Sequence, residues 1–430
     1  MLLKNLEKIS GLLIFLSLIF TVLGYFYTKD MIFIAGILAW ISFGILYKSL
    51  ASKKIINILL ILSLIGFIFS YINDFKIDLI KVVSINQYLL ALLIAVGFLR
   101  LVASPKIEKN ADLPVGKKSF FKTYLGIHLF GSVINLSSLI IVADKMYKKA
   151  PLTNIQVITL TRAFSSDAYW SPFFVAFAAA IVYTPHVNTP IVILNGLVVA
   201  IIGFIITFIE LNLKKSLQLE KFNGYPISFE TLYIPLLLAM MVLITNSIFK
   251  DVKIIVLISL YSVILTMMIL VFKYKFIEGS KLFINHINEE LPKMKSEISL
   301  FIVAGMFGVI VSSILVGLNV SMPFEVFDWK VASLLLLVFI LLAFIGIHPI
   351  ITIAIVGDYF AQFNHTLLAI TFLMAWSTTV STSPFSGLNL TIAARYKFSG
   401  FEVLKLNLPY AILMYIVCSA ILKLLYDYFL

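Results

Sequence analysis

Apolar runs of roughly 17–22 residues recur along this chain, the length of helix that spans about 30 Å of hydrocarbon. Short connections between them hold most of the charge. Within a bilayer every backbone polar group must be satisfied inside the protein, which leaves helices and closed barrels. The runs are rich in Ile, Leu and Phe, and none keeps a period-two alternation, which argues against a barrel. Charged residues make up only 13% of the 430 residues, too few to cover a water-soluble surface. The sequence predicts an all-α polytopic membrane protein.

The formal net charge is +12. Its lysines lie in short connections, which reads as positive-inside topology and contact with anionic membrane lipids, not as nucleic-acid binding. The single cysteine, Cys418, lies inside an apolar run, so neither a disulfide nor a thiol metal cluster is expected. Lys4 and Lys8 precede the first run without a small-residue cleavage site after it, so the expectation is a retained first helix.

Loop charge orders the crossings. Runs 9–28, 31–47, 55–72 and 86–103 come first. The connection 104–122 sets Lys106, Lys109, Lys117, Lys118 and Lys122 against Glu108 and Asp112, which places it and the N-terminus in the cytoplasm. If 124–143 crossed, Lys145, Lys148 and Lys149 would lie outside. It also carries Gly126, Gly131, Ser132, Asn135, Ser137 and Ser138, which suit irregular backbone facing a cavity. It is read as a re-entrant hairpin; the lysines at its entry leave a full crossing as the alternative. Crossings 151–183, 191–209, 231–249, 254–272 and 298–317 follow. Segment 331–360, with Gly346-Ile347-His348-Pro349 at its middle and Asp358 at its closing edge, is the second hairpin, entered from outside. Crossings 366–396 and 405–426 leave the C-terminus outside. The expectation is eleven transmembrane helices and two re-entrant hairpins in two inverted repeats: a leading helix at 1–30, a first repeat at 31–215 and a second at 216–430.

Short motifs occur twice. Gly126-Ile127-His128 returns as Gly346-Ile347-His348, 220 residues on, and Ser171-Pro172-Phe173 returns as Ser383-Pro384-Phe385, 212 residues on. Related halves with broken polar segments are the mark of a repeat-built transporter, and the breaks point to its binding site.

Residues 161–173 read T-R-A-F-S-S-D-A-Y-W-S-P-F and interrupt a predicted crossing. Pro172 removes a donor and biases Ser171 away from helix. Freed carbonyls with Ser165, Ser166 and Ser171 suit a cation or substrate, and the following half-helix offers N–H groups to an anion. The competing reading is a kinked helix whose serines bond its own backbone. Residues 376–389 repeat the theme with Thr379, Ser381, Thr382, Ser383, Ser386 and Asn389, a hydroxyl-rich set suited to Na⁺, for which Ser166 and Ser383 are the candidates. Arg162 and Asp167 are intramembrane charges and so functional candidates. They can pair with each other, or Asp167 can hold a coupling cation or proton while Arg162 faces an anionic substrate. Asn135 and Ser137 mark the first hairpin; His348, matched to His128, is a hydrogen-bond donor or proton carrier in the second. His186, His286 and His365 fall in predicted loops. No resident metal, cofactor or nucleotide motif is present in the sequence.

This layout resembles the ion transporter superfamily, which includes divalent-anion/sodium symporters, citrate carriers and gluconate-type permeases. Gly346-Ile347-His348-Pro349, Ser383-Pro384 and Ala393-Ala394-Arg395-Tyr396 are similar to the pattern of an uncharacterised gluconate-permease-like family of integral membrane proteins. The resemblance covers most of residues 86–430 as architecture. The Ser-Asn-Thr tips of the divalent-anion symporters have no copy here; Ser132, Asn135 and Ser137 come nearest. The resemblance implies a secondary transporter of the cytoplasmic membrane, and a homodimer. The expected function is a permease, not an enzyme, that moves a small organic anion coupled to Na⁺ or H⁺ by alternating access. The alternatives are a membrane-embedded enzyme such as a lipid-linked glycan polymerase, or a passive channel.

Overall fold

The computed structural model describes residues 2–50, 53–103, 113–225, 233–357 and 359–429, with the backbone alone at 2–4 and 215. Asp358 and four residues of the basic connection, Lys106, Glu108, Lys109 and Asp112, lie outside the described residues. The described chain is helical, with one isolated antiparallel bridge between Val115 and Asn223. The first helices are α1 (Leu2–Phe26), α2 (Asp30–Leu46), α3 (Lys53–Ile72), α4 (Leu79–Ser84) and α5 (Gln87–Ala103). Next come α6 (Lys117–Ile134), α7 (Leu136–Tyr147), α8 (Asn154–Ser165), α9 (Val175–Tyr183) and α10 (Thr189–Leu213). Then follow α11 (Tyr233–Ile248), α12 (Ile254–Asn285), α13 (Lys295–Gly317) and α14 (Trp329–Phe344). The chain closes with α15 (Pro349–Gly357), α16 (His365–Thr382), α17 (Gly387–Tyr396) and α18 (Gly400–Phe429).

Helix α10 shows what solvent these helices meet. Leu194, Val198, Ile201, Ile205 and Ile209 are exposed along one face, at the spacing of three and four that shares a helix surface. The opposite face buries Gly196, Val199, Gly203 and Thr207. Large apolar groups outside and small or hydroxyl groups inside is the arrangement lipid selects, because small residues let helices approach where no hydrophobic force joins them. Eight spans among the described residues are long and apolar enough to cross a bilayer. One of them, Ile254–Gly317, is 64 residues long and takes in two predicted crossings, while α11 and α14 are shorter apolar helices. The chain is a multi-pass helical membrane protein.

Two compact units divide the chain, each drawing on both predicted repeats. One comprises Met1–Val102, Leu236–Pro323 and Ile350–Gln362. In it α1 lies along α2, Gly36 leaves room for the Val83 carbonyl, and Asn86 Nδ2 donates to the Phe301 carbonyl at 2.7 Å. The connection between predicted crossings 254–272 and 298–317, read as a loop, is folded instead. Lys275 breaks α12 at φ 64, and Gly279 comes back against the Leu270 backbone. A π-turn at His286–Glu290 then buries His286, which the sequence placed in a loop. Phe283 stacks on Phe98 with ring centroids 4.6 Å apart, an apolar contact that holds the returning arm.

The other unit comprises Ala103–Pro235, Phe324–Pro349 and Phe363–Leu430, and so holds α6–α10, α14 and α16–α18. Between α6 and α7 the chain turns sharply at Asn135 (φ 53, ψ −144). Seven residues of continuous helix advance about 10 Å. Here a Cβ on Gly131 would stand 3.2 Å from Ser138 Oγ, so α7 folds back beside the end of α6. The break sits within the predicted hairpin 124–143, with arms reaching 117 and 147. The second predicted hairpin, 331–360, turns at Gly346 (φ 98), where glycine alone avoids a Cβ penalty. Its arms belong to different units, α14 to this one and α15, from Ile350 on, to the other.

Candidate functional site

The two Ser-Pro-Phe segments break their helices in the same way. α8 ends at Ser165, passes through a 3₁₀ turn at Ser166–Tyr169, and restarts as α9 at Val175. α16 ends at Thr382 and restarts as α17 at Gly387. Pro172 and Pro384 each remove a backbone donor at the interruption. Ser171 Oγ accepts from the Phe173 N–H at 3.2 Å and donates to the Ser132 carbonyl at 2.6 Å. Ser383 Oγ accepts from the Phe385 N–H at 3.2 Å and donates to the Ala343 carbonyl at 2.6 Å. Ser132 and Ala343 each stand three residues before a turn residue of positive φ, Asn135 and Gly346. These partners are 211 or 212 residues apart in sequence. The two broken helices also bond each other at that spacing, because Ser377 Oγ donates to the carbonyl of Ser165, 212 residues earlier, at 2.7 Å. Beside it Tyr169 and Thr378 share a hydroxyl contact of 3.3 Å.

The Gly-Ile-His triplets do not follow this spacing, which corrects the expected match of His128 with His348. His128 lies on α6 seven residues before its turn residue, and His348 two residues after Gly346. A three-letter match carries no register; the serine bonds do.

Most hydroxyls of the richer break serve their own helix. Thr379 Oγ1 donates to the Trp376 carbonyl, Thr382 Oγ1 to that of Thr378, and Ser381 Oγ to the same carbonyl, the local bonding typical of Ser and Thr in helices. Ser386 caps α17, accepting from Asn389 N–H at 3.1 Å. Asn389 Nδ2 donates to the freed carbonyls of Ser383 (2.9 Å) and Ser381 (3.3 Å), and its buried Oδ1 has no protein donor among the described residues. His348, Thr379, Ser383, Ser386 and Gly387 line one cavity of about 30 Å³. That is about the volume of one water in the liquid. A groove of about 440 Å³ in the other unit, lined by Glu7, Lys8, Glu289, Lys293 and Lys295, is half-open and mixed in charge, which suits a solvated surface.

Arg162 is placed otherwise than expected. Its wholly buried guanidinium pairs with Glu210 Oε2 at 2.6 Å, its Nε donates to Asn407 Oδ1 at 2.8 Å, and Nη2 to the Leu406 carbonyl at 3.3 Å. The group lies 4.2 Å from the Tyr410 ring centroid. All three nitrogens are engaged within the protein and none bonds Asp167. Asn407 extends this network by donating to Thr161 Oγ1 at 3.1 Å and the Ser381 carbonyl at 3.0 Å. The geometry describes a structural clamp joining α8, α10 and α18. Glu210 and Asn407 were legible as polar residues at or inside apolar runs, where such residues carry roles by default.

Asp167 is wholly buried, 2.7 Å from His128 Nδ1. Neither carboxylate oxygen receives a well-aligned hydrogen bond among the described residues. Oδ2 faces Gly131 so closely that a Cβ there would stand 2.2 Å away. Ser166 Oγ lies 2.8 Å from His128 Nδ1 and donates to the Ala163 carbonyl at 2.8 Å. Trp170 Nε1 donates to His128 Nε2 at 3.1 Å. The residue 212 on from Asp167 is Thr379, so the carboxylate has no acidic counterpart in the other break.

The remaining expected residues stand apart. Ser165 Oγ donates to the Arg162 carbonyl at 3.3 Å. Ser137 is half-buried in the first turn of α7, and Asn135 holds a buried Oδ1 without a protein donor among the described residues. The site residues thus fall into an Asp167–His128–Ser166 group and a His348–Ser383–Thr379 group, with the Ser165–Ser377 contact between the two broken helices. Neither protein-family models nor curated proteins match this chain.

Proposed function

We propose that this chain is a secondary active transporter of the cytoplasmic membrane, with eleven crossings and two re-entrant hairpins arranged as two inverted repeats. Its N-terminus lies inside and its C-terminus outside. It carries a small organic anion coupled to Na⁺ or H⁺ by alternating access. The observation that carries this reading is the repeated helix break, with identical serine bonds 211–212 residues apart and a contact between Ser377 and its counterpart Ser165. A residue that bonds its own counterpart sits on a pseudo-two-fold axis, and transporters of this class hold substrate at such a repeat interface between discontinuous helices. The orphaned oxygens of Asp167, Asn135 and Asn389 and the freed carbonyls of the breaks supply the ligands. The cavity of about 30 Å³ beside His348 lies against the second break.

The test is uptake in proteoliposomes of carboxylates, sugar acids and amino acids first selected by thermal shift, with Na⁺ and pH gradients imposed separately. Uptake that ignores both gradients overturns the coupled reading. A reporter fused after Tyr147 reads inside for the hairpin and outside for a crossing.

A further inference from the structure

The geometry around His128 fixes its proton. Indole N–H is a donor only, so Nε2, which takes the Trp170 bond, carries a lone pair and no hydrogen. The neutral ring therefore holds its hydrogen on Nδ1, facing Asp167 Oδ1 at 2.7 Å and Ser166 Oγ at 2.8 Å. Ser166 sends its own hydrogen to the Ala163 carbonyl and acts here as acceptor. Among the described residues His128 Nδ1 is the one donor within reach of this unexposed carboxylate and Oδ2 receives none, so the group calls for a further proton or a cation. An N–H occupies the position at Oδ1 where a metal ion would need another lone pair, which favours the proton. Arg162, the cation on the adjoining helix, is committed to Glu210.

Other titratable groups around the pair are Tyr124 on α6, Tyr169 in the turn and Tyr410 on α18. α16 adds the hydroxyls of Ser377 and Thr378, α7 that of Ser138 and α10 the amide of Asn195 beside Gly196, while α9 up to Val182 is apolar. His128 is the accessible member of the pair, its side chain 14% exposed while Asp167 is fully enclosed; the cavity of about 160 Å³ beside it, lined by Phe121, Leu197, Ile201 and Phe204, is apolar and lies on the lipid-facing side of α10.

We propose that Asp167 and His128 form a one-proton site, loaded at His128, its partly exposed member, whose loading switches the His128 tautomer and releases Trp170. The incoming proton bonds to Nε2. The Nδ1–H bond breaks as its proton passes to Asp167 Oδ1. The ring ends neutral, the carboxylate ends as an acid, and one proton has been taken up. Nε2 now bears hydrogen, so the Trp170 N–H loses its acceptor. Trp170 precedes Ser171-Pro172, so loading frees the start of the helix break from α6. The site stands on its own geometry; that its proton is the coupling ion rests on the transporter reading above.

The experiment uses the full chain in nanodiscs with Trp40, Trp329 and Trp376 replaced by Phe, leaving Trp170 as the reporter. Expected is a change in Trp170 emission with pH that fits one proton, together with a carboxylic acid infrared band that rises and falls at the same pH. The band is lost in Asp167→Asn, and the one-proton emission change is lost in His128→Gln. The infrared titration is repeated on the wild-type chain, so that a fault of the single-Trp protein cannot decide the matter. Flat emission, or a band unchanged in Asp167→Asn, overturns the proton site. A titrating site combined with uptake that ignores a pH gradient overturns only its coupling role.

Discussion

Asn135 allows stability and transport to be set against each other. Its φ of 53° with ψ of −144° is a region that non-glycine residues enter at a cost of about 1–3 kcal/mol. Its buried Oδ1 has no donor among the described residues, a further cost of about 1–3 kcal/mol if nothing occupies the place. Asn135→Gly removes both, against about 0.5–1 kcal/mol for the greater freedom of glycine in the unfolded chain. The net expectation is stabilisation by about 1 kcal/mol or more, a rise in melting temperature on the order of 2 °C for a unit of this size. The reciprocal change, Gly346→Ala, puts a side chain at φ 98 without steric conflict beyond ordinary contact with Phe385, so it should lose about 1–3 kcal/mol through the backbone alone. If the Asn135 amide oxygen is a ligand, Asn135→Gly also weakens apparent substrate or ion affinity by roughly 10- to 150-fold, the worth of one bond to a charged group. Thermal unfolding in detergent and uptake in proteoliposomes read the two effects separately. A variant less stable than the parent refutes the strain argument. One that is more stable and transports normally refutes the ligand role.

Removing the charge in Glu210→Gln leaves the buried Arg162 guanidinium unpaired and should cost about 3 kcal/mol, whereas Arg162→Met with Glu210→Gln should cost less than Glu210→Gln alone; a double-mutant cycle by SDS unfolding measures this. Because Arg162 is saturated by Glu210, Asn407 and Leu406, the double variant should keep the parent's substrate affinity. Ser171→Ala and Ser383→Ala should each cost about 1–3 kcal/mol by orphaning a carbonyl, and costs differing by more than about 2 kcal/mol would break the claimed equivalence of the two sites. Gly131→Ala drives a methyl into Asp167 Oδ2 and should abolish uptake while Gly44→Ala, in open space, leaves it intact.

Much of this was legible in the sequence because its causes are local. A run of apolar residues with no charge can only be a lipid-facing or buried helix, and α10 bears its exposed apolar stripe accordingly. Pro172 and Pro384 each remove a backbone donor next to a serine that turns its hydroxyl to the chain, so both Ser-Pro-Phe breaks appear where the sequence puts them. Partners brought together from distant segments were not legible. Arg162 and Asp167 are five residues apart, which on a helix turns them about 140° from each other; one reaches α10 and α18, the other α6. The Trp170–His128 bond joins residues 42 apart, and no pattern in either stretch announces it. The folded arm at 273–295 was hidden because its lysines read as loop while Phe283 returns to Phe98 and Phe15.

The lone carboxylate has an electrical consequence. Arg162 is paired with Glu210, which also holds the half-exposed Lys214, and the position 212 residues after Asp167 is Thr379, so deprotonation places a negative charge at Asp167 that no cation in contact with it offsets. Any step that carries that charge through the membrane field does work of about 2.3 kcal/mol per 100 mV for full traversal, whereas the protonated form moves without it. In the transporter proposed above, membrane voltage would then set the pace of the half of the cycle in which Asp167 is deprotonated and be silent in the other.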